Sequence, residues 1–174
     1  MKAFIHTALI IFTISLSSIA KDAGTNLIKV DSTFKTPLEQ LLGLYYNIKD
    51  ALVNSDASSA ASKAGELVNA IQKIDMESLT ATEHKALKPL QDKLTADAKD
   101  ISQIKDLAEQ RLHFASLSDN FYLLAKVVKL STKPIYYDYC TMKKHYWLSS
   151  KSPIKNPYYG RAMPTCGELK ETIK

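Results

Sequence analysis

From Thr36 to Leu130 the apolar residues return every three or four positions, the spacing of a single buried stripe on an α-helix. That period rules out a sheet protein for most of the chain. Thr36-Pro37-Leu38-Glu39 opens the first helix: a threonine cap, proline at the first helical position and glutamate three residues after the cap. Leu38, Leu41, Leu42, Tyr45, Ile48 and Leu52 form its apolar stripe, and the helix should end near Asn54-Ser55. Asp56 can cap a second helix with Ala57, Ala60, Ala61, Ala64, Leu67, Val68 and Ile71 on one face. Thr80-Ala81-Thr82-Glu83 is another capping box. Leu87, Leu90, Leu94 and Ala98 follow it, interrupted by Pro89, which should kink the helix or move its start. Asp100 to Gln103 is read as the opening of a fourth helix, the longest, with Ile104, Leu107, Ala108, Leu112, Ala115, Phe121, Tyr122, Leu124, Ala125 and Val128 as its stripe.

The pattern breaks after Leu130. Pro134, Pro153, Pro157 and Pro164 interrupt any helix, and Gly160 and Gly167 appear. Four amphipathic helices with short connections predict an all-α fold, an antiparallel up-down bundle over 36–131. Residues 132–174 are expected as an irregular Cys/Met/aromatic tail of the same domain, packed on the bundle, with room for one short hairpin at the aromatic run Ile135-Tyr136-Tyr137-Asp138-Tyr139.

The first twenty residues read as a secretory leader. Lys2 precedes the apolar run Ala8–Ile14, and Ser18-Ile19-Ala20 offers small residues for cleavage. The run is shorter than the ~20 apolar residues a spanning helix needs, and no later stretch is apolar enough to span. The expectation is an exported chain, periplasmic or secreted, with a flexible segment over 21–35. The formal net charge is +5, and removing the leader takes away one lysine. The remaining lysines are spread along the chain, so there is no nucleic-acid footprint.

The tail concentrates the reactive side chains. It holds both cysteines, the one tryptophan and six of the nine tyrosines. Cys140 and Met142 are two apart, His145 follows three later, and Met163 and Cys166 are three apart. Thiolates and thioethers are soft donors that select Cu(I) over hard ions. Methionine binds without losing a proton, which keeps such a site useful where thiols are protonated. The competing reading is structural: a Cys140–Cys166 disulfide closing a loop of about 25 residues, worth ~3 kcal/mol in the chain-entropy model. Reduction interconverts the two states. Arg111, the one arginine of the bundle, has a fork suited to carboxylates or to backbone carbonyls of the tail, and it is read as tying tail to bundle. No glycine-rich phosphate loop, paired-histidine zinc helix or nucleophile elbow is present, so no enzyme activity is expected.

Four elements of the tail carry a family resemblance: Tyr139-Cys140-Thr141-Met142, Tyr146-Trp147-Leu148, Ile154-Lys155-Asn156-Pro157-Tyr158-Tyr159-Gly160 and Met163-Pro164-Thr165-Cys166-Gly167. With Arg111-Leu112-His113-Phe114-Ala115-Ser116-Leu117-Ser118 of the last helix, they resemble the DUF3347 domain family of exported bacterial proteins. The chain departs from that pattern at Thr141, where proline is usual, and at Pro164, where leucine is usual. Neither change removes a donor. Similar domains occur fused to periplasmic adaptor subunits of heavy-metal efflux systems. The resemblance therefore implies a soft metal held by Cys140, Met142, Met163 and Cys166, with periplasmic efflux components as partners. His145 rests on spacing alone, as an optional fifth donor. Trp147 and Tyr139 would shield the site from water, and Asn156 and Gly160 join Arg111 as structural positions. The alternative is a non-catalytic module that presents a disulfide-stapled tail to a protein partner.

Overall fold

A computed structural model describes residues 36–174. The leader expected at 1–20 and the segment 21–35 lie outside the described residues. Four helices come first: α1 (Pro37–Val53), α2 (Ala57–Gln72), α3 (Ala81–Gln103) and α4 (Leu107–Val127). Three strands follow: β1 (Ile135–Cys140), β2 (His145–Ser149) and β3 (Glu168–Ile173). Single 3-10 turns sit at Met76–Ser78 and Gly160–Ala162. Among the described residues no helix is long and apolar enough to cross a membrane.

The capping chemistry sets the helix starts. Thr36 accepts the Glu39 N–H at 3.1 Å, and Pro37 occupies the first turn, where no helical donor is needed. Asp56 accepts the Ser59 N–H at 2.9 Å. At α3 both arms of the capping box close: Glu83 N–H to Thr80 Oγ1 at 3.3 Å, and Thr80 N–H to Glu83 Oε2 at 2.9 Å. The third and fourth helices divide later than the sequence suggested. α3 runs through Asp100 to Gln103, and Asp106 caps α4 by accepting the Ala108 and Glu109 N–H groups at 2.8 and 2.9 Å. α3, with 23 residues, is therefore the longest helix. Pro89 stays inside it on the exposed face of the helix, one turn after the exposed Lys85.

Consecutive helices pack as neighbours, and α4 also carries β2. α4 is thus covered on two sides, which blurs its stripe. Phe114 and Leu117 are fully buried although they fell outside the expected set, and Leu112, placed inside it, is 57 % exposed.

The tail corrects the all-α expectation. It forms a three-stranded antiparallel sheet of order β2-β1-β3, with β1 central. The β1–β2 hairpin falls on the aromatic run, as anticipated. β3 was not. Its sequence, Glu-Leu-Lys-Glu-Thr-Ile, is mostly exposed, and its charges suit an edge strand that must resist further pairing. A bulge between Tyr137 and Asp138 offsets the β1–β3 register.

The junction of bundle and sheet is built on Tyr45, which is fully buried. Its ring stacks on Phe114 at 5.2 Å between centroids and tilts against Phe121 at 4.8 Å. Its hydroxyl accepts the Leu148 N–H of β2 at 2.9 Å and lies 2.8 Å from Ser118 Oγ. Ser118 donates its own proton to the Phe114 carbonyl at 2.8 Å, so Tyr45 is the donor to Ser118. One phenol thereby joins α1, α4 and β2. Tyr45→Phe should cost about 1–3 kcal/mol, since it strands a buried strand N–H. Urea unfolding monitored by circular dichroism measures this, and a loss below ~0.5 kcal/mol would show that the hydroxyl is not what holds the sheet down.

Candidate functional site

Five of the expected donors arrive at one end of the sheet. β1 ends at Cys140. A four-residue turn, Thr141 to Lys144, leads to His145, the cross-strand partner of Cys140. The turn is closed by the Lys144 N–H to the Cys140 carbonyl at 2.7 Å, with Lys144 itself at φ +58°. β3 begins with Glu168 opposite Tyr139, so Gly167 and Cys166 come in beside Cys140. Met142 lies in the hairpin turn and Met163 in the turn that precedes Cys166, whose N–H reaches the Met163 carbonyl at 3.4 Å.

The long return from β2 to β3 has little regular structure, and Asn156 organises it. This residue is fully buried. Its Oδ1 accepts the Tyr158 and Tyr159 N–H groups at 2.8 and 3.1 Å, and its Nδ2 donates to the Cys166 carbonyl at 2.5 Å. Its own N–H goes to the Pro164 carbonyl at 2.8 Å. The loop is tied to the bundle by Arg111. Its Nε donates to the Pro157 carbonyl at 2.8 Å, and its Nη2 donates to the Leu52 carbonyl and Ser55 Oγ, each at 3.3 Å. Burial pulls the guanidinium pKa below its ordinary value. Gly160, at φ +55°, fits against this cluster because a side chain there would strike Ser55, Arg111 and the Leu52 carbonyl. The Tyr158 hydroxyl donates to the Tyr146 carbonyl, closing the loop onto β2.

Both cysteines are free thiols. Cys140 is fully buried, and Cys166 is half-buried. The Cys166 thiol is pushed above its ordinary pKa by burial first, then by Cys140, through its charge and through a hydrogen bond between the two thiols. The β1–β3 register, with Tyr139 opposite Glu168, brings the two cysteines to neighbouring positions. The methionines stand more open, Met142 58 % and Met163 39 % exposed. His145 lies beside the Tyr158 ring at 5.3 Å. Among the described residues no group of three or more His, Cys, Asp or Glu side chains is arranged to hold an ion. Trp147 is fully buried beneath the site. Its ring fills the space where Gly167 has no Cβ, and it meets Tyr158 edge-on at 6.0 Å. Tyr139 is half-buried, with the Lys170 ammonium 5.2 Å from its ring.

One group escaped the sequence reading. Asp138 is fully buried in the central strand, and neither carboxylate oxygen has a hydrogen-bond partner. Its cross-strand neighbour Trp147 likewise leaves Nε1 unpaired. Burial raises the Asp138 pKa from 3.8 to about 6, against the pull of Lys49 on α1. The available signal was an aspartate inside a run of tyrosines, a polar residue where every neighbour is suited to burial.

Fold and site together define a four-helix bundle that carries a small dithiol-bearing sheet. The chain matches the family described as protein of unknown function (DUF3347) over residues 41–133, more than half its length, and belongs to that family. The match covers the bundle and ends before β1, so the Cys/Met elements lie beyond the matched stretch. No curated protein and no solved structure matches the chain.

The Asp138 carboxyl has a consequence for stability. Between pH 4 and 6 the folded chain keeps a proton that the unfolded chain releases, so stability falls as pH rises through this window and the penalty is complete above it. A displacement from 3.8 to about 6 corresponds to at most about 3 kcal/mol. Asp138→Asn should stabilise the fold by roughly 1–2 kcal/mol at pH 7.5 and by nothing at pH 4. Paired denaturation curves at the two pH values test this; an equal effect at both would show that the carboxyl does not titrate there.

Proposed function

We propose that the Cys140–Cys166 thiol pair binds Cu(I), or a related soft ion, and that the protein handles or exports such metal in the periplasm. The observation that supports this reading is the placing of two free thiols side by side, Cys140 at the end of β1 and Cys166 just before β3, the second held by the Asn156-centred loop. Two thiolates suffice for Cu(I), and soft sulfur donors favour it over harder ions. Met142 and Met163 flank the pair in exposed turns and supply thioethers without any proton to displace. His145 stands by as a borderline donor, while Trp147 and Tyr139 close off the inner and lateral sides. Similar domains fused to efflux adaptor subunits suggest periplasmic efflux components as partners.

The same placing of the two thiols is compatible with a second reading, in which oxidation makes a disulfide and the tail serves as a docking surface. Against it stands the bonding of the tail itself. Arg111, Asn156, Tyr158 and Tyr45 already anchor it without a covalent staple. Met142→Leu and Met163→Leu separate the readings, because a structural tail tolerates these near-isosteric changes.

An anaerobic Cu(I) titration of the reduced chain against a competing chelator, with thiols counted beforehand, tests the proposal. The expected result is one ion per chain, abolished by Cys140→Ser and weakened about ten-fold by Met163→Leu. Absence of binding, together with no free thiol before reduction, would favour the stapled module. Since the Cys166 thiol is held protonated, loading must release protons, and affinity should fall as the pH is lowered from 8 to 6. An affinity independent of pH over that range would point to thioether or imidazole ligands instead.

A further inference from the structure

At the end of the sheet remote from the cysteines, α4 leaves two apolar side chains in the open, one turn apart: Leu123, 52 % exposed, and Val127, 60 % exposed. With Ala86, Pro89 and Leu90 of α3 they line an apolar groove of about 670 Å³, and Lys85 stands at its side. Pro89 contributes here an apolar ring and no N–H. Val127 also lines a second cavity, about 250 Å³, at the C-terminal end of α4. That cavity has Lys126, Lys129, Lys133 and Lys174 around it, and Leu130 and Ile135 in its wall. No acidic side chain lines either cavity. Lys126 is paired with Glu171 at 2.5 Å, while Lys129, Lys133 and Lys174 form no ion pair among the described residues.

An open apolar groove marks an interaction site, and its size falls within the roughly 300–1,000 Å³ of small-molecule pockets. Lys126 is offset by Glu171, and the ammonium groups of Lys129 and Lys133, which form no ion pair among the described residues, favour an anion. Val127 lines both features, so the groove and the lysines adjoin. A neutral hydrocarbon would make no use of the lysines, and an inorganic anion would make none of the groove.

We propose that this face binds a single-chain anionic amphiphile of the fatty-acid class, its hydrocarbon chain along Leu123 and Val127 and its carboxylate among Lys129, Lys133 and Lys174. This ligand is independent of the thiol site at the opposite end of the sheet.

The test is a calorimetric titration of the full chain with dodecanoate below its micelle concentration. Saturable one-to-one binding is expected, at least five-fold weaker for Leu123→Glu, for the Lys129→Glu/Lys133→Glu double variant and for dodecanol in place of dodecanoate. Thermal unfolding must match the parent for each variant; if Leu123→Glu unfolds early, Val127→Ser takes its place. Equal affinity for dodecanol, or indifference to the groove variants, would overturn the proposal. So would binding seen with phosphatidylglycerol vesicles and not with dodecanoate, which would make the face a membrane contact. Self-association abolished by Leu123→Glu, without dodecanoate binding, would make it a contact between copies of the chain and would equally overturn it.

Discussion

The sheet stays on the bundle because of a phenol with nowhere else to put its hydroxyl. Tyr45 is fully buried between Phe114 and Phe121, so its oxygen must find partners inside the protein. It takes the Leu148 N–H from β2 and gives its proton to Ser118 on α4. A strand N–H facing a helical bundle would otherwise be unpaired. Burial holds the phenol protonated, well above its ordinary pKa, so this donor and acceptor pattern does not change over the physiological range. The position of β2 fixes β1 beside it, and β1 in turn fixes β3. The place where the two thiols meet depends on a residue nearly a hundred positions earlier in the chain.

The loop between β2 and β3 shows how a proline-rich segment with few regular hydrogen bonds is held to one shape. Asn156 supplies from one side chain the partners that a helix or ladder would supply from many residues. Arg111 does the same from outside, with a rigid fork matched to the Pro157 and Leu52 carbonyls. Gly160 and Gly167 are the positions where neighbouring groups come too near for a side chain. With the loop ordered in advance, Cys166 is presented to Cys140 without a covalent link. Such pre-organisation lowers the entropy cost of any later event at the thiols, metal capture or oxidation alike.

The interior also carries a tension. Asp138 and Trp147 face each other in the sheet, each with a polar group unpaired. A core assembled only for stability would have placed apolar residues of the same volume here. Lys49, itself buried on α1 and bonded to Asp50 at 2.5 Å, is the charge nearest in effect to the Asp138 carboxyl.

The helical part was legible because its determinants are local. Caps at Thr36, Asp56 and Thr80 act within three residues, and the stripe of α1 was read without error. The division between α3 and α4 was misread because Asp100 and Asp106 are both plausible caps; packing of Ala98 and Ile101 into the core carried α3 past the first. The donors of the candidate site were legible as chemistry, since soft sulfur is conspicuous in any sequence. Their meeting was not, because it depends on β3, and β3 exists only where β1 offers it an edge. Asp138 escaped for the same reason: burial of both its oxygens is a property of the assembled sheet. Thus periodicity and capping determined the bundle by themselves, through interactions spanning one helical turn. The third strand, the placing of Cys166 beside Cys140 and the buried carboxyl were decided by tertiary structure, because each requires groups that the chain brings together only after the helices have packed.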